Sequence, residues 1–385
     1  MQKIFNNANV FTLNADEPLA QAFFVNDETV VLVGENSQIS EMCNNKTKIV
    51  NFDGHFVMPT FFETNYIFSK TKKEFIKSQN ELIEIGVQTI WAREINDETF
   101  KLLQELSENK LLKVDVIGYV DFRINKDIMN ENCRSYRKYK NGFRLGGYNI
   151  KLDGDLLNQK AWLEKPYKRA HGFVGYGEMV DEELIFVIKT AIEEKKQLLV
   201  SANGERAIEQ FLRCYCEAVT DKSADNFKVL IETNGLISNK QLKLCAERKI
   251  GVLYNYSALK FSLTKLKERL GKSRVKKMAN IKRMFDAGVN LVIACDGQST
   301  IEIINELQGK TDGELSKVFK QQKLSLNGLL KTTISNASYF SFEEEHKGSI
   351  ENGKKANFVV FEKNPFENLN DYGKIKMYVD GEEIK

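Results

Sequence analysis

Eight short apolar runs recur through the middle of the chain. They are TFFETN (60–65), GVQTIWA (86–92), KVDVIGYV (113–120), YNIKLDG (148–154), QLLVSAN (197–203), KVLIETN (228–234), GVLYNYS (251–257) and NLVIACDG (290–297). Most gaps between them carry a helical pattern. DEELIFVIKTAIEEKKQ puts Leu184, Ile185, Ile188, Ala191 and Ile192 on one face, and GERAIEQFLRCYCEAV does the same with Ala207, Ile208, Phe211, Leu212 and Tyr215. Apolar residues at that spacing form the buried stripe of an amphipathic helix. Thr71-x-x-Glu74 and Ser238-x-x-Gln241 are capping-box starts. Eight buried strands alternating with helices predict an α/β fold, a parallel (β/α)8 TIM barrel over residues 59–344. The alternative is an open doubly wound sheet, but no G-x-G-x-x-G follows the first run.

The two ends read differently. KIFNNANVFTL, AQAFFVNDETVVLVG and KIVNFDGHFVMP at the start, and GSIENGKKANFVVFEKNP and KIKMYVDGEEI at the close, are strand–turn–strand, with Asn352-Gly353 and Asp380-Gly381 as turns. They predict one small β-sandwich built from residues 1–58 plus 345–385, beside the barrel.

In a barrel the chemistry lies at the strands' C-terminal ends. Those ends carry Glu63 and Asn65, Arg93 and Glu94, Asp121, Lys151 and Asp153, Ser201 and Asn203, Glu232 and Thr233, Asn255, and Asp296. Composition narrows what this rim can be. A net charge of +3 over 385 residues gives no clustered basic face of the kind nucleic acid requires. No apolar run approaches the roughly 18 residues that span a bilayer, and MQKIFNNANVF is not a signal peptide. The six cysteines form no C-x-x-C pair and read as reduced thiols, so the expected compartment is the cytoplasm. Cys214 and Cys216 share one helix at a spacing that diverges, and so form no metal clip. Only three histidines are present, His55, His171 and His346, so any imidazole-rich metal site must come from these.

The N-terminal strands, the VMP before the first barrel strand and the closing GSIENGKKANFVVFEKNP resemble the amidohydrolase superfamily. Within it the chain is most similar to the YtcJ-like (amidohydrolase 3) branch. GGYNIKLDGDLLNQKAWLEKPY resembles that branch's strand-four segment, LVSANGERAIEQFL and VLIETNGLIS its strands five and six, and DAGVNLVIACDG its strand eight. The resemblance implies hydrolysis of non-peptide C–N bonds with zinc or another divalent metal. It also implies a ligand set: H-x-H at strand one, a lysine, often carboxylated, at strand four, a histidine each at strands five and six, and an aspartate at strand eight. Carried over, the H-x-H falls on Asn65-Tyr66-Ile67, Lys151 matches the lysine, Ser201 and Thr233 take the two histidine places, and Asp296 matches the aspartate. All four histidine positions are substituted. Ile67 cannot ligate, and neutral oxygens are poor partners for zinc. No metal or other cofactor is therefore expected. Relatives also carry a subdomain after strand one that this chain lacks between Phe68 and Glu81.

Three functions remain to be weighed. One is a non-catalytic relative that binds a small molecule or assembles. The second is an enzyme of altered, metal-free chemistry using Lys151, Asp296 and His171. The third is an ordinary metal-dependent hydrolase, which the histidine count opposes. Blander readings stand beside these. Asp296 can cap the helix that follows it, His171 can be a solvated loop residue, and Lys151 can form an ion pair with Asp296 or Asp153. The expected arrangement is an uncarboxylated Lys151 within hydrogen-bonding reach of Asp296. Nucleic acid and membrane are excluded as partners, and a homodimer is compatible with the sequence.

Overall fold

The computed structural model describes residues 1–68, 71–219, 227–369 and 371–384. Eight parallel strands form one nearly closed sheet in chain order: β1 (Phe61–Ile67), β2 (Val87–Ile95), β3 (Asp115–Asp121), β4 (Phe143–Lys151), β5 (Gln197–Ser201), β6 (Val229–Thr233), β7 (Gly251–Asn255) and β8 (Leu291–Ala294). Each pairs in parallel with the next. The predicted runs all fall on strands.

The main departure is β4, which starts at Phe143, five residues before the run that announced it. Arg144 and the pair Gly146-Gly147 interrupt its hydrophobic pattern. Arg144 is nevertheless buried, because it pairs with Glu343 at 3.3 Å beneath the barrel. Gly147 is needed at the β4–β5 contact, since a Cβ there would meet the Gln197 carbonyl oxygen at 2.4 Å.

Helices cover the sheet. Both predicted capping boxes are formed, at Thr71 before Lys72–Glu84 and at Ser238 before Asn239–Glu247. The first of these helices fills the stretch where relatives are expected to carry a subdomain; Ser69 and Lys70 lie outside the described residues. The helix Glu205–Ala218 buries Ala207, Ile208, Phe211, Leu212 and Tyr215, the face its sequence marked.

The N-terminal end of the barrel is plugged. Gln197 receives the Tyr119 hydroxyl at 2.8 Å and donates to the Phe340 carbonyl at 2.8 Å. Lys347 reaches Asp115 at 2.6 Å and Glu343 at 3.0 Å. Ions buried this way must be paired, and these are. That leaves the opposite, C-terminal end for chemistry.

The chain ends form two further sheets. One holds Gln2–Asn6, Ala22–Asn26, Thr29–Gly34 and Lys48–Asn51. The other combines Asn9–Phe11, Leu19–Ala20 and Phe56–Pro59 with Phe358–Phe361, Lys376–Val379 and Glu382–Ile384 from the far end of the sequence. Phe5, Phe23, Phe52, Phe358 and Tyr378 form the aromatic core between them, with Phe358 and Tyr378 stacked at 4.7 Å. Pro59 ends the strand that pairs with Phe358–Phe361, and β1 begins two residues later.

Candidate functional site

Successive side chains of a strand alternate between faces. On β1 the inward set is Glu63, Asn65 and Ile67. Tyr66 points the other way, with its hydroxyl 3.1 Å from Ser78 on the covering helix. At the top of the barrel this set meets Arg93 of β2, Asn149 of β4, Ser201 of β5 and Glu232 of β6.

Arg93 is the centre of the arrangement, and only 2% of it is exposed. Its Nε and Nη2 donate to Asn149 Oδ1 at 3.2 and 2.7 Å. Nη1 donates to Asn65 Oδ1 at 2.8 Å and lies 2.6 Å from Glu232 Oε2. Nη2 also donates to Ser201 Oγ at 2.8 Å. Every N–H of the fork thus has an acceptor, which is what burial of a guanidinium demands. Burial pushes the Glu232 carboxyl up. Arg93, with hydrogen bonds from Ser201 and Asn255, more than offsets that and holds it below the usual range.

Two residues pass this charge on. Ser201 accepts from Arg93 and donates to Glu232 Oε2 at 2.7 Å. Asn65 accepts from Arg93 and donates through Nδ2 to Asp296 Oδ1 at 2.7 Å. Asp296 also receives a hydrogen bond from Ser257. Burial raises its pKa against these bonds. Below it, Glu63 accepts from the amides of Asn65 at 2.8 Å and Gly297 at 2.6 Å. Burial, and then the nearby Asp296 charge, push Glu63 up to about 7.

Above this layer opens a cleft of about 460 Å3 lined by Asn65, Tyr66, Ile67, Asn255, Ser257, Ala258, Asp296 and Gly297. Ile67 is 60% exposed there. Of the residues singled out from sequence, Asn65, Ser201 and Asp296 come together at the mouth, and Ile67 lies on the cleft wall. Thr233 does not join them. Its buried hydroxyl accepts from the Gly235 amide at 3.3 Å, and the neighbouring Glu232 takes the inward face of β6. His171 is exposed in the loop after β4 and is not part of the cleft wall.

The expected Lys151–Asp296 pair is corrected. Lys151 lies two residues beyond Asn149, one layer nearer solvent, and is 46% exposed. Its ammonium bonds Glu94 Oε2 at 2.6 Å, while Asp296 is held by Asn65 and Ser257. Nor does Lys151 reach Asp153, which accepts the backbone amides of Trp162, Asn203 and Gly204 at 2.7–2.8 Å. The capping alternative for Asp296 also fails, because Ser299 is the cap of Thr300–Leu307. Sequence reasoning placed Arg93 and Glu232 on the rim without a role and did not name Asn149. The usable signal was parity: Arg93 is a lone cation ending an otherwise uncharged run, QTIWAR, on a strand buried on both faces.

An eight-stranded parallel barrel with a polar C-terminal mouth, flanked by sheets from both chain ends, is an architecture shared with solved metal-dependent hydrolases. The amidohydrolase family model matches residues 73–371, and the chain belongs to that family. No curated sequence matches it. Among solved structures, an uncharacterized metal-dependent hydrolase from Pyrococcus horikoshii superposes with a TM-score of 0.79 at 17% identity, covering 100% of both chains. Its counterpart from Pyrococcus furiosus gives 0.78 at 16%, covering 95% of this chain and 100% of that one. A Xaa-Pro dipeptidase with bound methionine gives 0.69 at 12%, covering 100% of both chains. At these identities the likeness shows the fold. No described helix is long and apolar enough to cross a membrane.

Proposed function

We propose that this chain keeps the amidohydrolase barrel without its divalent metal, and that the mouth is a small-molecule binding site rather than a metal-dependent hydrolytic centre. The observation that carries this reading is the contact of the Arg93 guanidinium with Asn65 and Ser201, two positions where the family resemblance implies imidazoles. The oxygens of both side chains are already engaged by a cation. A divalent ion placed about 4 Å from that guanidinium would meet repulsion on the order of 8 kcal/mol at an effective dielectric near 20. The donor set fits a metal poorly in any case. Ile67 offers none, Thr233 is turned into its own loop, and no group of three or more His, Cys, Asp or Glu side chains converges to hold an ion among the described residues. The cleft volume falls within the range of small-molecule sites.

A second reading, hydrolysis without metal, draws support from Glu63, whose pKa of about 7 suits a general base. Against it, Glu63 gives its oxygens to two backbone amides and does not line the cleft. Asp296 does line it, whereas Lys151 and His171 do not.

The test is hydrolysis of a panel of N-acyl amino acids by purified protein, with added zinc, with EDTA and with neither. The binding reading expects no turnover beyond that of Asp296→Asn. Turnover unaffected by EDTA and lost in Asp296→Asn establishes the metal-free enzyme. Zinc-dependent turnover overturns both readings.

A further inference from the structure

We infer that Arg93 is the resident cation of the barrel mouth, standing in for the metal's charge, and that Asn65 and Ser201 are relays matched to it. This rests on the metal-free reading above and adds the residue that makes it workable. Three carboxylates flank the mouth without converging on one point: the buried Glu63, Glu232 with 14% of its side chain exposed, and Asp296 on the cleft wall. With no cation among them, such a set repels itself and is costly to bury. In this chain a guanidinium supplies the charge from within, and its planar fork reaches four side chains at once.

The identity of the two relays follows from the same geometry. Each must accept a hydrogen bond from the guanidinium on one side and donate one to a carboxylate on the other. Asn65 does so between Arg93 and Asp296, and Ser201 between Arg93 and Glu232. An amide and a hydroxyl carry both functions without any change of protonation. A carboxylate in either place could not donate, and an ammonium could not accept. Asn149 completes the set through its Oδ1, which takes both Nε and Nη2, while its Nδ2 is buried without a partner. Asn65 and Ser201, at two positions where the resemblance implies metal ligands, are thus both bonded to Arg93. Arg93 acts on the cleft through Asn65, which orients Asp296 at its wall, so it is a positioning residue.

The experiment is a double-mutant cycle on thermal stability with Arg93→Met, which keeps bulk and removes charge, and Glu232→Gln. In the parent, Glu232→Gln leaves the guanidinium short of its counter-charge and lowers the melting temperature. In the Arg93→Met background the same change removes an unpaired carboxylate and raises it. Arg93→Met alone should melt roughly 5 °C lower, the scale expected for stranding a buried charge in a protein of this size. Should Arg93→Met fail to fold, Arg93→Lys serves. It retains charge without the fork and should lie between the parent and Arg93→Ala.

A readout that simple packing would not move is rescue. Millimolar guanidinium chloride should raise the melting temperature of Arg93→Ala and not of the parent, while tetramethylammonium chloride should do neither. If Glu232→Gln is equally harmful in both backgrounds and guanidinium gives no specific rise, the resident-cation role is refuted. Zinc content of the same samples separates the two claims. Stoichiometric zinc in the parent overturns the metal-free reading, whereas failed coupling in zinc-free protein overturns only the role of Arg93.

Discussion

Glu63→Gln should change how the protein's stability depends on pH. Glu63 is 1% exposed and accepts two backbone amides beside Asp296. Its folded pKa is raised from 4.5 to about 7. For an acid raised on folding, the stabilising contribution is fully present below the unfolded value and is lost as pH rises through the folded value. Between pH 5 and pH 8 the group therefore withdraws about 2–3 kcal/mol from the parent, following the linkage relation. Glutamine cannot ionise and withdraws nothing. It also offers one acceptor where two amides point, so the variant starts lower at pH 5 by about 1–2 kcal/mol. Near pH 8 the two proteins should converge. Melting temperatures at pH 5, 6, 7 and 8 in matched ionic strength read this directly. The parent should fall by roughly 3 °C more than the variant across the series. The other titrating groups are shared by both proteins and largely cancel in the difference. Parallel pH profiles would show that Glu63 is ionised throughout, and that the carboxylate cluster is less enclosed than described.

Three further outcomes follow from the same geometry. Lys151→Met should change the melting temperature by no more than roughly 2 °C, since a half-exposed ion pair with Glu94 is worth about 0–1 kcal/mol; a large loss would restore a buried partner for Lys151. Asp153→Asn should cost about 3 kcal/mol in chemical denaturation, because it turns an amide donor toward amides of Trp162 and Gly204 now received by Oδ2; a neutral substitution would refute the role of Asp153 as anchor of the loops after β4 and β5. Ala258→Trp should block the cleft without disturbing the Arg93 cluster, so ligand-induced thermal shifts found in a metabolite screen should vanish while the variant keeps the parent's stability. A variant that still shifts with the same ligands would place the binding site elsewhere.

The architecture was legible because its signals are local. Apolar runs bounded by helical periodicity marked all eight barrel strands, and Thr71 and Ser238 announced helix starts that the structure forms as expected. The start of β4 was not legible, since burying Arg144 depends on Glu343, 199 residues away. The mouth divides in the same way. Position matching to the family located Asn65, Ser201 and Asp296. It could not show that Arg93 joins them, because the bonds to Asn149 and Ser201 span 56 and 108 residues. A charge at a strand end ordinarily reads as a solvated rim. The Lys151–Asp296 expectation failed for a related reason. It assumed that two residues converging on a metal would still converge without one. With Arg93 holding the interior, Asn149 provides the inward acceptor from β4, and Lys151 reaches outward to Glu94. Thr233, which the resemblance places at a histidine position, turns its hydroxyl to the Gly235 amide, and Glu232, one residue earlier, takes the inward face, because neighbouring residues of a strand face opposite ways.

The most direct test of the central claim is elemental analysis of the protein purified from zinc-supplemented medium, without chelator at any step. Zinc, manganese, iron and cobalt should all lie far below one ion per chain, in the parent and in Asp296→Ala alike. About one zinc per chain in the parent, lost in Asp296→Ala, would contradict that claim.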